Sequence, residues 1–174
     1  MTRKHFFCFL LVIIFTVCAV HTTSADSFEN ENDIPTGIAS NNKYYSDLFY
    51  IINSDTSRAS FTLTPSLTIS SPSANKIRVI ARAYTNVTVD KLGFSSLHIQ
   101  KWNGSSWVNV ASWYNQYKTN ASSFIFTGSI TGASTGSYYR AVCSFYAEKS
   151  GEIVTATATT SYIQCKLTDT EVHE

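Results

Sequence analysis

The sequence predicts an all-β chain, an immunoglobulin-like or fibronectin-III-like antiparallel β-sandwich of about seven or eight strands. Three observations predict it. From Tyr44 onward, Ser, Thr, Tyr, Phe, Val and Ile alternate in short runs. Turn residues recur about every 8–12 positions, and no stretch sustains a helical period. The alternation is clearest in "TGSYYRAVCSFYAEKSGE", where Tyr139, Ala141, Cys143 and Phe145 fall on one face. A tyrosine two residues ahead of a small inward residue is placed like the tyrosine corner of immunoglobulin-like folds.

Residues 1–25 read as a secretory signal peptide. Arg3, Lys4 and His5 precede an apolar run from Phe6 to Val20, and Thr23-Ser24-Ala25 offers a small-residue exit, with cleavage expected after Ala25. The run is shorter than the roughly 18–20 residues a membrane span needs. Cys18 follows Phe15-Thr16-Val17, without the Gly, Ala or Ser that normally precedes a lipidated bacterial cysteine. Residues 26–43, "DSFENENDIPTGIASNNK", are acidic, rich in Asn and almost free of aromatics, so a flexible leader is expected. Residues 44–165 are expected to form the domain, and 166–174 a disordered C-terminal tail.

Within the domain, strands are expected at 48–53, 59–70, 76–87, 94–102, 106–113, 122–129, 137–148 and 152–163. They are punctuated by "SPSANK", "VDKLG", "WNGSS", "NQYKTN", "TGASTG" and "EKSGE". Pro65 marks an edge or a bulge in the second strand, because proline cannot donate to a ladder. A hairpin about Ser150 would place Cys143 opposite Thr157 and leave Cys165 on the order of 26 Å further along the strand. Two such cysteines cannot bridge, so Cys143 is expected in the core and Cys165 as a tail thiol.

The chain from Arg58 to Ile163, through "LTISSPS", "VDKLGFSSLHIQKWNGSSWVNVASW" and "GSYYRAVCSFYAEKSGE", resembles small secreted proteins of Gram-positive bacteria, mostly Clostridia. In these stretches it is similar to the family called domain of unknown function 6147. Ile99-Gln100-Lys101 stands here for its Leu-Gln-Lys, and Ala141-Val142 follows Arg140 where a branched residue is usual. The resemblance implies a signal peptide, a short leader and one immunoglobulin-like sandwich. It implies no activity and no functional residues.

Composition narrows the function classes. The chain has 13 Lys+Arg and 12 Asp+Glu, and residues 1–25 hold two of the former and none of the latter, so the formal charge moves from +1 to −1 on cleavage. That balance gives no reason to expect nucleic acid or a membrane surface as partner. "GASTG", Gly132 to Gly136, matches the G-x-S-x-G nucleophile elbow, with Asp169 and His173 following in hydrolase order. The elbow needs a strand before it and a helix after it, whereas Ser134 is expected in a turn between strands. His98 and His173 have no ligand partner at zinc-like spacing, and few carboxylates lie inside the domain to furnish a glycosidase pair, which needs two positioned across a cleft. No catalytic set, metal site or cofactor is therefore expected. Asn86, Asn103 and Asn120 head formal glycosylation sequons, which the abundance of Asn, Ser and Thr accounts for by chance.

The three tryptophans, all within "WNGSSWVNVASW", carry the one candidate contact surface. A two-residue turn at Asn103-Gly104 would pair Trp102 with Ser105, Gln100 with Trp107, Ile99 with Val108 and Leu97 with Val110. Leu97, Ile99, Val108 and Val110 would then face the core, and His98, Trp102, Trp107 and Trp113 the outside. A four-residue loop keeps those faces, whereas a three-residue loop with a bulge would send Trp107 and Trp113 inward. Outward tryptophans could still be covered by the leader or by a neighbouring strand. The expected function is a non-catalytic binding module for a glycan or protein ligand, with His98, Trp102, Trp107 and Trp113 as candidate contacts. The alternatives are a structural or self-assembling surface protein, through edge strands, and a secreted hydrolase.

Overall fold

A computed structural model of the protein describes residues 34–53 and 59–167, excepting the side chains of 48–53. The signal segment, residues 26–33 of the leader, and Asp169 and His173 lie outside the described residues. Eight strands are present among the described residues, and no helix: β1 (Tyr45–Ser46), β2 (Leu48–Asn53), β3 (Leu63–Ser73), β4 (Lys76–Trp102), β5 (Trp107–Thr131), β6 (Tyr138–Lys149), β7 (Glu152–Thr160) and β8 (Ile163–Gln164). They form one antiparallel sheet in the order β1-β3-β4-β6-β7-β2, with β5 on β4 and β8 on β6. The sheet curls so that β3 packs against β6 and β7 across the core.

Two long strands make the curl. The expected strands 76–87 and 94–102 are one, β4, and 106–113 and 122–129 are likewise one, β5. The first part of β4 pairs with β3 and with the end of β5, whereas its last part pairs with β6 and with the start of β5. "VDKLG" and "NQYKTN" read as turns because their residues tolerate sharp backbone angles. Here those residues bend a strand instead of ending it. The β4–β5 register shifts between Tyr84 and Val89, and Asn115 and Asn120 take the left-handed conformation, φ 53° and 49°, that Asn accepts more readily than most residues.

The core lies inside the curl. Leu67 and Ile69 of β3, Val79, Leu92, Phe94, Leu97 and Ile99 of β4, and Phe145 of β6 are fully buried. Tyr139, Ala141, Cys143, Phe145 and Ala147 alternate inward along β6, as the sequence pattern requires. Tyr139 is anchored at its polar end, its hydroxyl accepting the Ser134 backbone N–H at 3.0 Å; burial raises its pKa. Pro65 lies beyond the short β1 pairing, so among the described strands only β4, at Ala83, pairs with it.

Cys165 departs from the expected tail position. After β7 the chain turns instead of running on, and β8 pairs with Tyr138 and Tyr139. Cys165 is thereby buried beneath the β5–β6 turn, its amide bonded to Ser137 O at 2.9 Å and its carbonyl to the Gly136 N–H at 3.0 Å. Cys143 lies opposite Ala158, one residue from the expected Thr157. Both cysteines are free and buried, and burial pushes the Cys143 thiol well above its ordinary pKa. A chain lacking residues 1–25 should therefore show no reactive thiol when native and two after unfolding, read by thiol titration with and without guanidinium. One fast-reacting native thiol would place Cys165 outside the core.

Candidate functional site

The site is built at the β4–β5 hairpin. Its loop is four residues long, Asn103–Ser106, so Trp102 pairs directly with Trp107. Asn103 holds the loop with its own side chain, Oδ1 accepting the backbone N–H of Ser105 at 3.0 Å and of Ser106 at 2.8 Å. The even loop keeps Trp102 and Trp107 on the outer face, ring centroids 5.4 Å apart.

Three residues beyond Trp107, β5 carries an extra residue. Gln100 faces Asn109 and Ile99 faces Ala111, with Val110 between them. From there the faces of β5 exchange, because one inserted residue reverses a period of two. Trp113 lies opposite Leu97, packs on the core and meets Phe126 edge-on at 5.6 Å. A Cβ at Gly128 would come within 2.7 Å of the Trp113 ring, so that glycine makes room for the indole. Val108 and Val110, expected in the core, are 38% and 43% exposed. His98 stays outside but apart from the tryptophans, Nδ1 at 2.8 Å from Ser112 Oγ and its ring 5.6 Å from Tyr114. Of the four candidate contacts, only Trp102 and Trp107 come together.

Their outer face is partly covered. Residues 36–40 run beside Tyr162, with Tyr162 N–H bonded to Ile38 O at 2.9 Å and Ser40 N–H to Tyr162 O at 3.0 Å. The Trp107 indole N–H donates to Thr36 O at 2.9 Å. Trp102 is only 8% exposed, and its indole N–H has no partner among the described residues.

Arg140 of β6 stacks on Trp107, its guanidinium carbon 4.5 Å from the ring centroid. Its Nε donates to Gln100 Oε1 at 2.8 Å, and Gln100 in turn donates to Asn109. Burial lowers its pKa from the ordinary arginine value, though an arginine keeps its charge in a protein. No carboxylate pairs with it among the described residues, whose four acids are engaged elsewhere. Asp47 accepts from Tyr45 and Thr68, Asp90 from Ser150 N–H, Glu148 from Tyr146 and Glu152 from Ser60.

Beside this guanidinium lies a cavity of about 270 Å³, walled by Thr36 to Ile38 on one side and by Arg140, Thr159, Thr160 and Tyr162 on the other. Trp107 backs Arg140 without itself lining the cavity. Tyr162 also borders a second cleft of about 400 Å³ with Ser40, Lys43 and Tyr138. The Thr160 hydroxyl is already used, accepting the Ala141 N–H at 3.0 Å.

Ser134 of "GASTG" lies between β5 and β6, and its hydroxyl accepts from Lys101 Nζ at 2.9 Å. Neither a histidine nor a carboxylate is bonded to it among the described residues. Those residues also contain no group of three or more His, Cys, Asp or Glu placed to hold a metal ion, and no helix long and apolar enough to cross a membrane.

Sequence reasoning missed Arg140, Thr159 and Tyr162. Arg140 could have been found, because alternation with inward Tyr139 and Ala141 turns it outward and it sits in the quoted "YYR". No family model, curated protein or solved structure matches the chain.

Proposed function

We propose that the chain is an exported, non-catalytic binding module that takes a glycan or protein ligand in the cavity beside Arg140. The observation that carries this is the cavity itself, a space of about 270 Å³ lined by Arg140, Thr36, Thr159 and Tyr162 among others. A concave site with a few convergent polar groups is what small-ligand recognition requires. Export rests on the signal-like residues 1–25, and the family reading on the quoted resemblance to domain of unknown function 6147 from Gram-positive bacteria. In this reading the curled sheet is an immunoglobulin-like sandwich, with β3 in one layer and β6 and β7 in the other, and the site lies at one end of it.

The test is binding of the purified chain to glycan and peptide arrays, followed by Thr159→Trp, which fills the cavity from an outward strand position where an aromatic residue is tolerated. Binding should fall at least about 10-fold, the equivalent of about 1.4 kcal/mol, with the denaturation midpoint unchanged. Undiminished binding in Thr159→Trp would move the site elsewhere.

A structural, self-assembling role is the second reading. It is favoured by β5, which pairs only with β4 among the described strands. Val108, Val110, Tyr114 and Ile125 are exposed along it, and a long, unpaired, apolar edge invites pairing with another copy. Mass by light scattering that rises with concentration would favour this reading.

A further inference from the structure

We infer that the cavity beside Arg140 takes a uronic-acid unit of an acidic glycan, the ring carboxylate lying on the guanidinium; this rests on the binding-module reading above. Arginine carries five N–H donors in a fixed fork. Among the described residues only Nε has an acceptor, Gln100 Oε1, which leaves the terminal amino groups for a carboxylate. That pairing is the bidentate geometry the guanidinium favours.

The protein holds the fork in place before any ligand arrives. Trp107 stacks behind the guanidinium, Gln100 fixes Nε, and Trp107 is itself tied to Thr36 O. A partly buried cation without an opposite charge is costly, and each of the four described carboxylates is bonded elsewhere. A ligand carboxylate would supply the opposite charge that no described residue brings to Arg140.

The remaining walls favour a sugar over a peptide. The space of about 270 Å³ is below the roughly 300–1,000 Å³ of clefts that hold drug-sized ligands. It therefore suits one compact ring better than an extended chain. Thr36, Thr159 and Tyr162 line the space, and hydroxyl-bearing and aromatic side chains are the types that suit a sugar's hydroxyls and ring. A second sugar could continue past Tyr162 into the adjoining cleft, which Tyr162 also lines.

The test is an NMR titration of the purified chain with sodium D-glucuronate, D-glucose and a capped dipeptide with a free C-terminal carboxylate. The Trp107 indole N–H and the Arg140 side chain are the reporters. Glucuronate should bind at least about 10-fold more tightly than glucose. Arg140→Met should weaken glucuronate about 10- to 100-fold, the range of a charge-assisted hydrogen bond, and leave glucose unchanged. Arg140→Lys, which keeps the charge but not the fork, should fall between them and guards against misfolding of the methionine variant.

Equal affinity for glucose and glucuronate would overturn the inference, as would tighter binding of the dipeptide or an Arg140→Lys variant indistinguishable from wild type. So would glucuronate binding that appears only after Asp26, Glu29, Glu31 and Asp33 are neutralised, because the chain's own leader would then fill the cavity. If an array glycan is lost in Thr159→Trp while glucuronate shows no preference over glucose, the binding reading stands and only the acidic ligand fails. If neither array yields a ligand, both fail together.

Discussion

Phe94→Ala should lower the stability of the domain by about 3–5 kcal/mol, the cost of emptying a large aromatic site in a packed core. Phe94 is fully buried where the two arms of the β4–β5 hairpin close on one another. It lies opposite Phe145 on β6 and meets Phe124 and Phe126 edge-on, at 5.8 Å and 5.1 Å. Those two rings come from the far end of β5, so Phe94 ties the start of the curl to its end. Val110→Ala should change stability by less than about 0.5 kcal/mol, as at an exposed position, because Val110 sits on the bulge. Urea denaturation reads both. A mild Phe94→Ala with a costly Val110→Ala would restore the core assignment of Val110 and remove the bulge.

Gly93→Ala should cost about 3 kcal/mol or more, at the upper end of overpacking penalties. A Cβ on Gly93 would lie 2.0 Å from the Gln116 carbonyl oxygen and 2.9 Å from Tyr117 Cα. Both are backbone atoms, so no side-chain rotation relieves the clash. Gly93 faces Tyr117 on one side and Tyr146 on the other. The two rings meet at 5.4 Å where it has no side chain, and Lys91 Nζ lies 4.0 Å from the Tyr117 centroid. The Tyr146 hydroxyl bonds Glu148 at 2.6 Å, and that bond, with some burial, pushes its pKa up to about 12. A denaturation midpoint unchanged in Gly93→Ala would show that β4 and β5 do not approach as closely as described.

Alternation made the inward face of β6 readable, because Tyr139 to Phe145 obeys a period of two without interruption. Leu97 and Ile99 were legible for the same reason. The strand number and the route of the chain were less so. Asn and Gly read as turn residues, yet Asn115 and Asn120 use the same backbone freedom within the single strand β5. The bulge at Val110 was not legible, since a run of "WVNVASW" alternates equally well in either register. One extra residue sends Trp113 to the core while Trp107 stays outside. Cys165 was misplaced because the turn after β7 depends on bonds to Ser137 and Gly136, far away in the sequence. Arg140 was visible as an outward residue, but no sequence pattern reports which carboxylates are already engaged.

The cavity at Arg140 is tested most directly by amide hydrogen exchange on the purified chain, free and saturated with its tightest array ligand. Protection should gather in residues 36–40, at Arg140 and its β6 neighbours, and in 159–162, and should vanish in Thr159→Trp. Protection confined to residues 107–121 on the free edge of β5, with 36–40 and 159–162 unchanged, would contradict the cavity and place the contact surface on the edge strand.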